Sequence, residues 1–197
     1  ISVNNLNKNK EGTVGCIMHG MNYYIKIVEG IKKGGHLVVN GPNIMLGYLL
    51  HDKPGKIQPP STEKGSGWYD TGDIAEIDEE GFITILGRAK RFAKIGGEMV
   101  SLTAVEELAA LTWPEIKHAS ISMVDHKNKE RIILVTENKE AGHIELQKIA
   151  KKNQISELTI PKKIITSLEI PILATGKIDY VNLEKLVASE INRENIE

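Results

Sequence analysis

Cysteine and regularly spaced histidines are what this sequence lacks most clearly. Cys16 is the single cysteine among 197 residues, so an internal disulfide and a thiolate metal cluster are both excluded. The six histidines are scattered without the spacing that metal ligands require. We therefore expect no metal site in the chain. Because cysteine is so rare, a reducing, cytoplasmic location is the simplest expectation.

A charge excess and a long apolar run are also missing. Lysine and arginine number 25 against 26 acidic residues, which leaves a net charge of -1. This balance gives no basis for a nucleic-acid partner, whose phosphates attract an excess of cations. No apolar run approaches the roughly 20 residues of a membrane span, and the N-terminal residues do not resemble a signal peptide. We expect no membrane segment here, and any anion site must be local.

The common nucleotide and hydrolase motifs do not occur either. The sequence has no G-x-x-x-x-G-K-[ST], G-x-G-x-x-G, H-E-x-x-H or G-x-S-x-G. What it has instead, over residues 12–87, is short apolar runs between glycine-rich turns. This pattern predicts a small antiparallel subdomain, β-barrel-like or a sandwich. We predict strands over 12–17, 21–29, 36–40, 68–71, 74–77 and 82–86, a helical turn over 44–50 and a long loop over 51–66.

Residues 88–197 mix helical and strand patterns, which predicts a compact α+β unit. Ser101 fits the N-cap of a helix with apolar residues every three to four positions. That apolar face consists of Leu102, Val105, Leu108 and Ala109. A later helix over 144–152 is expected to carry Ile144, Ile149 and Ala150 near one side. The other predicted elements are strands over 91–95, 98–100, 118–124, 131–137 and 163–168 and a helix over 181–191. The expected class is α+β, with domains 1–87 and 88–197.

Two groups of charged residues could carry chemistry. Asp73 follows Gly72, so its carboxylate could accept backbone N–H bonds in a turn, or it could accept both hydroxyls of a vicinal diol such as ribose. A basic run follows, and it could be a solvated strand face or a phosphate contact, for which the arginine fork is suited. The run comprises Arg88, Lys90, Arg91 and Lys94.

A glycine pair and one distant lysine are the remaining candidates. Gly96 and Gly97 could form a simple hairpin turn, or their missing Cβ atoms could let a ligand approach the backbone closely. Lys177 follows Gly176 in a loop, where an ordinary surface lysine and a functional cation are both possible.

Four blocks of the chain resemble sequence blocks of the adenylate-forming superfamily of acyl-CoA synthetases, luciferases and peptide-synthetase adenylation domains, and they occur in the same order. Residues 41–49 resemble its G-x-x-x-x-x-G-Y block, and residues 68–73 resemble its Y-x-T-G-D block. Residues 87–106 resemble its G-R-x-[DK] block with the glycine loop, and residues 171–177 resemble its P-x-x-x-x-G-K block. Residues 87–101 and 41–49 are further similar to the bifunctional 2-acylglycerophosphoethanolamine acyltransferase/acyl-ACP synthetases.

The resemblance implies a role for each charged candidate. Asp73 would hold the ribose hydroxyls of ATP or of the acyl-adenylate, and Arg88 would contact ribose or phosphate. Lys90 would be the hinge between the large AMP-binding domain and a mobile C-terminal lid, residues 88–197. Lys177 would bridge the acyl carboxylate and the α-phosphate.

The resemblance also implies the reaction and its partners. ATP with Mg²⁺ would convert a fatty acid to acyl-adenylate, and the phosphopantetheine thiol of acyl carrier protein would then take the acyl group. Gly96 and Gly97 would line the pantetheine channel. In the bifunctional relatives a lysophospholipid is finally reacylated, at the cytoplasmic face of the inner membrane. Another acyl-CoA synthetase, or a non-catalytic module that binds carrier protein or nucleotide, is the alternative.

The chain departs from the family pattern at several positions. Met99 stands where many relatives have Arg or Asn, Ala104 where they often have Glu, and Tyr180 where a basic residue is common. The family's Ser/Thr/Gly-rich phosphate loop is not among these 197 residues. We therefore expect the isolated chain to be inactive.

Overall fold

The chain divides into two compact units. The structure is a computed structural model that describes residues 1–125 and 128–194. The first unit is Ile1–Lys90 and the second is Arg91–Glu197. Each unit has its own sheet and its own hydrophobic core. The assignment of the second unit as a mobile lid stays a prediction.

The first unit contains ten strands, several of them only two residues long. Its main sheet is antiparallel, with the order β10-β9-β4-β3. The strands are β1 (Ser2–Val3), β2 (Cys16–Ile17), β3 (Asn22–Lys26), β4 (Gly35–Asn40), β5 (Tyr48–Leu49), β6 (Ile57–Gln58), β7 (Ser61–Thr62), β8 (Gly65–Ser66), β9 (Tyr69–Ile77) and β10 (Ile83–Arg88).

One face of this sheet carries the core of the first unit. Leu37 and Val39 of β4 pack with Ala75 of β9 and Ile83 of β10. Alternate residues of a strand point to the same face, which explains the spacing of Leu37 and Val39. Over residues 1–90 the sheet stays open, with β3 and β10 as its edges, and no closed barrel forms. The antiparallel pairing is confirmed, but the strand predicted over 12–17 is reduced to Cys16–Ile17, and the strands predicted over 68–71 and 74–77 form the single strand β9.

The segment after β4 differs from the prediction. The expected helical turn over 44–50 is wrong, because Tyr48–Leu49 forms strand β5 and pairs with β6. Gly47 makes this pairing possible, since a Cβ there would lie 2.3 Å from the carbonyl oxygen of Gln58. The long loop predicted over 51–66 contains β6 and the small β7–β8 hairpin instead.

The second unit places a three-stranded sheet between helices. Its sheet order is β13-β14-β15, antiparallel between the first two strands and parallel between the last two. The elements are β11 (Phe92–Ile95), β12 (Glu98–Ser101), α1 (Leu102–Thr112), β13 (His118–Val124), β14 (Glu130–Thr136), α2 (His143–Lys152), β15 (Lys163–Thr166) and α3 (Tyr180–Glu194). Short 3-10 helices occupy Ala89–Arg91, at the unit boundary, and Glu157–Thr159.

Strand β14 is buried on both faces, because helices α1 and α2 cover one side of the sheet and helix α3 covers the other. Ile132 and Leu134 pack in one core with α1 and α2, whereas Ile133 and Val135 pack in a second core with α3. Neighbouring residues of a strand point to opposite sides, so a continuous apolar run suits a central strand. The observed α+β class agrees with the prediction.

Helix α1 forms as its sequence predicts, and α2 does so in part. The Ser101 side chain accepts a bond from the Ala104 N–H and caps α1. All four residues of the predicted apolar face are buried. In α2, however, Ile144 is 67% exposed and Leu146 is fully buried. Leu146 and Ala150 are four residues apart, so they share the buried face and Ile144 does not.

Candidate active site

Asp73 and Arg88 meet across neighbouring strands of the first unit. They are directly paired residues of β9 and β10. Arg88 Nε lies 3.0 Å from Asp73 Oδ1, and Arg88 Nη1 donates a 2.9 Å bond to the Thr71 carbonyl oxygen. The Asp73 side chain is 22% exposed and the Arg88 side chain 66%. The pair therefore presents a carboxylate and a guanidinium group at the surface of the sheet.

The backbone before Asp73 is held in an irregular path by side chains. Gly72 has a φ of 72°, a conformation that glycine adopts without strain. Thr71 Oγ1 donates to the Leu37 carbonyl oxygen at 2.9 Å and accepts from the Asp73 N–H at 3.1 Å. The register between β4 and β9 shifts at this point, as in a β-bulge. Asp73 faces Arg88 through the register of β9 with β10, which has its own shift between Ile85 and Gly87.

Asp70 fixes the same segment from the other side. Its Oδ2 lies 3.0 Å from His36 Nδ1 on β4, and its Oδ1 accepts a 2.9 Å bond from the Gly72 N–H. The local backbone contact that the sequence suggested for Asp73 is thus made by Asp70. Sequence reasoning missed this role, because the closeness of His36 and Asp70 depends on the register of β4 and β9.

The basic run after Arg88 does not act as one solvated face. Lys90 is exposed in the 3-10 helix and is the last residue of the first unit. Arg91 is only 17% exposed and forms a 2.7 Å ion pair with Glu106. The backbone N–H of Lys94 donates a hydrogen bond to the Glu130 carboxylate. The prediction of a solvated strand face is therefore wrong for Arg91.

Gly96 and Gly97 form a two-residue hairpin turn between β11 and β12. Their φ angles are 61° and 91°, and the flanking residues Ile95 and Glu98 are paired. Positive φ at both positions is typical of a type I′ turn and explains the two glycines. Apart from the adjacent residues, no described atom of the chain lies within 4 Å of a Cβ built on either glycine. A role in a pantetheine channel stays a prediction.

Lys177 lies in the second unit, in a short loop that precedes α3. The loop is closed by a bridge between Ile172 and Ile178 and by a 2.7 Å bond from the Leu173 N–H to the Lys177 carbonyl oxygen. The Lys177 side chain is exposed. The backbone of the loop is held by these contacts, and the Lys177 ammonium group faces solvent; its role as a catalytic cation stays a prediction.

The described part of the chain holds neither a metal-binding cluster nor a membrane-spanning helix. Within residues 1–125 and 128–194, no group of three or more His, Cys, Asp or Glu side chains is placed to hold a metal ion. Among the helices of the described part, none has the length and apolar character needed to cross a membrane.

Sequence relatives decide the family. A medium-chain-fatty-acid–CoA ligase of Ectopseudomonas oleovorans is 30% identical over 78% of this chain and 27% of its own length. A mitochondrial medium-chain acyl-CoA ligase of Bos taurus is 31% identical over 80% of this chain and 25% of its own length. The chain belongs to the adenylate-forming acyl-CoA ligase superfamily. It matches the C-terminal portion of that superfamily and spans about a quarter of these relatives.

Two solved structures have the same fold. The o-succinylbenzoate coenzyme A synthetase of Bacillus subtilis, in complex with AMP, superposes with a TM-score of 0.63 at 25% identity, over 86% of this chain and 34% of that chain. The ATP-bound MatB of Rhodopseudomonas palustris gives 0.66 at 24% identity, over 89% and 35%. No family model matches the sequence. The two sequence relatives are named as CoA ligases and the Bacillus subtilis protein as a coenzyme A synthetase, so the resemblance to bifunctional acyl-ACP synthetases stays a prediction.

Proposed function

We propose that this chain is part of a ligase that activates a carboxylic acid with ATP and then transfers the acyl group to a thiol. A carboxylate oxygen attacks the α-phosphorus, the bond to pyrophosphate breaks, and acyl-adenylate forms. The thiol sulfur then attacks the acyl carbon and AMP leaves. The observation that carries this proposal is the match of acyl-CoA ligases to 78% and 80% of the chain.

Asp73 and Arg88 are proposed as the nucleotide contacts of this reaction. An ionised carboxylate has lone pairs for both hydroxyls of a ribose. Arg88 Nε lies 3.0 Å from Asp73 Oδ1, and the further lone pairs of the carboxylate leave acceptor capacity for a ligand. The guanidinium of Arg88 is largely exposed and has donors for ribose or phosphate oxygens.

Lys177 is proposed as the cation of the adenylation step. The attack brings a carboxylate and a phosphate together, and negative charge develops on the phosphate oxygens. An ammonium group placed between the two anions stabilises that charge. Lys177 suits the role because its side chain is exposed and its loop is closed by the bridge between Ile172 and Ile178.

Lys90 and the glycine turn are proposed to serve the second step. Lys90 lies at the boundary of the two units, where a change in a few backbone dihedrals would move a lid as a body. Gly96 and Gly97 present backbone without side chains, which suits a narrow channel for a pantetheine arm. Both roles follow from the resemblance of residues 87–106 to the superfamily.

We propose a fatty acid as the substrate and the phosphopantetheine of acyl carrier protein as the acceptor, with Mg²⁺ accompanying ATP. The support is the similarity of residues 41–49 and 87–101 to bifunctional acyl-ACP synthetases, in which a lysophospholipid is reacylated at the cytoplasmic face of the inner membrane. Coenzyme A is the second candidate acceptor. It is favoured by the two medium-chain relatives, both of which are named as CoA ligases.

The acceptor can be tested with the enzyme that contains this chain. The purified enzyme is incubated with MgATP, a fatty acid and either holo acyl carrier protein or coenzyme A, and thioester is measured. Thioester on carrier protein alone supports our proposal, and thioester on coenzyme A alone replaces it with the second candidate. If fatty-acid-dependent pyrophosphate–ATP exchange is absent in this enzyme, the ligase proposal fails. The 197-residue chain by itself is expected to show no exchange.

A further inference from the structure

Arg91, the first residue of the second unit, is attached to three different elements. Its Nη2 lies 2.7 Å from Glu106 Oε1 on α1, and its Nη1 donates a 2.8 Å bond to the Ser120 carbonyl oxygen on β13. Its guanidinium carbon lies 4.4 Å from the ring centre of Tyr180 on α3. Arg91 is thus fixed, whereas Lys90 immediately before it is exposed.

Glu106 completes this arrangement at the edge of the sheet. Its Oε1 also accepts a 2.7 Å bond from the Ser120 N–H. Strand β13 is an edge strand, and unpaired backbone groups of such a strand need partners. Arg91 and Glu106 supply both partners for Ser120, so the ion pair is bound to the sheet as well as to α1.

Tyr180 connects the same cluster to the Lys177 loop. It is the first residue of α3 and follows Lys177 by three positions. The loop that contains Lys177 is closed by a hydrogen bond, in which the Asp179 N–H donates to the Pro171 carbonyl oxygen at 2.9 Å. Partial burial raises the pKa of the Tyr180 phenol, and the nearby Glu106 carboxylate raises it further. The phenol therefore stays neutral beside the carboxylate.

We propose that Arg91, Glu106 and Tyr180 form a positioning cluster that couples the residue after Lys90 to the Lys177 loop. The proposal rests on the proposed function, because it gives Lys90 and Lys177 their roles as hinge and catalytic cation. A change at the hinge is then transmitted to Lys177 through one arginine and one aromatic ring. The intervening 86 residues of chain need not rearrange.

Tyr180 variants test the coupling in the enzyme that contains this chain. Tyr180→Leu removes the aromatic face that holds the guanidinium, whereas Tyr180→Phe keeps it. A partly desolvated cation–aromatic contact corresponds to roughly a tenfold effect or more. We expect Tyr180→Leu to slow single-turnover adenylation by about tenfold and Tyr180→Phe by less than about twofold. Thioester formation from preformed acyl-adenylate should change little in either variant.

A second measurement on the 197-residue chain does not depend on activity. Hydrogen exchange of residues 171–179 should be faster in Tyr180→Leu than in the unsubstituted chain, while exchange in α1 and β14 stays the same. Val181→Ala is the matched control, because Val181 is the next residue of α3 and is 65% exposed. It should leave exchange in the loop unchanged.

The outcomes separate the two proposals. Unchanged loop exchange in Tyr180→Leu, or equal slowing of both half-reactions, overturns the positioning cluster. If Lys177→Ala leaves adenylation intact, the proposed function of Lys177 fails instead, and the exchange measurement still decides whether the cluster holds the loop.

Discussion

Asp73 and Arg88 face each other on β9 and β10, with Arg88 Nε 3.0 Å from Asp73 Oδ1. Because Arg88 is 66% exposed, the ion pair contributes little to folding stability. Its position at the bulge around Gly72 fits ligand binding better than a structural role. The two residues were separate candidates in the sequence, and the strand register joins them.

Asp73→Asn should weaken nucleotide binding in the enzyme that contains this chain. The amide is nearly isosteric, but it lacks the negative charge that strengthens hydrogen bonds to hydroxyls. Loss of a charged hydrogen bond corresponds to about 1.5–3 kcal/mol, so we expect the KM for ATP to rise roughly ten- to hundredfold. Glu76→Gln, on the same strand, is the control and should leave the KM unchanged. An unaltered KM in Asp73→Asn would remove Asp73 from the site.

Lys177→Ala should abolish adenylation but spare the second half-reaction. The substitution removes the cation from the phosphate where charge develops, and thioester formation from preformed acyl-adenylate needs no such cation. Pyrophosphate–ATP exchange and thioester formation are measured separately. Lys139→Ala, another exposed lysine of the second unit, should affect neither. Equal losses in both half-reactions for Lys177→Ala would refute the assigned role.

Lys90→Pro should impair thioester formation more than adenylation. Proline fixes φ near −65°, so a rotation at this residue becomes restricted, whereas Lys90→Ala keeps the backbone free. Both half-reactions are compared for the two variants at saturating substrates. If Lys90→Pro behaves like Lys90→Ala in both, the hinge lies elsewhere.

The sequence predicted elements whose signals are local. Helix α1 has an N-cap, Ser101, and a complete apolar face, and the structure confirms both. The Gly96–Gly97 turn is likewise encoded by two adjacent residues. Such features follow from one stretch of chain and need no knowledge of its neighbours.

Long-range relationships were not predictable in this way. The contact of His36 with Asp70 depends on a register shift between β4 and β9. Arg91 lay within a basic run, and nothing local indicated that Glu106 and the Ser120 carbonyl would bury it. Tyr48–Leu49 formed a strand because of its partner β6, which lies beyond an intervening turn. Pairing partners decide these cases, and a single sequence does not identify them.

Leu108→Ala should strongly destabilise the second unit. Leu108 is fully buried in the core between α1, α2 and the sheet, and truncation of a buried leucine costs about 2–5 kcal/mol. Leu111→Ala is the matched control on the same helix, since Leu111 is 57% exposed. Urea denaturation followed by the fluorescence of Trp113, in a Trp68→Phe background, measures both. Similar losses in the two variants would contradict the assigned burial.

The stability of the second unit should fall as the pH drops below the ordinary pKa of histidine. His118 Nε2 lies 3.1 Å from the Trp113 carbonyl oxygen and Nδ1 lies 2.9 Å from Thr136 Oγ1, and partial burial lowers the pKa of His118. The unfolded chain therefore binds a proton more readily than the folded one. The contribution of neutral His118 to the free energy of unfolding is present above a pH of about 6.5, the pKa of histidine in the unfolded chain. It is lost as the pH falls through the lower pKa that His118 has in the folded chain.

His118→Gln should remove that part of the pH dependence, because glutamine does not titrate. The free energy of unfolding is measured by urea denaturation between a pH of about 5 and about 8, where histidine changes charge. His51→Gln is the control, since His51 is exposed in the first unit, and its pH profile should match that of the unsubstituted chain. Because His118 is only half-buried, the change in pH dependence between His118→Gln and the unsubstituted chain should be modest. A His118→Gln profile with the full original slope would show that other groups carry the pH dependence.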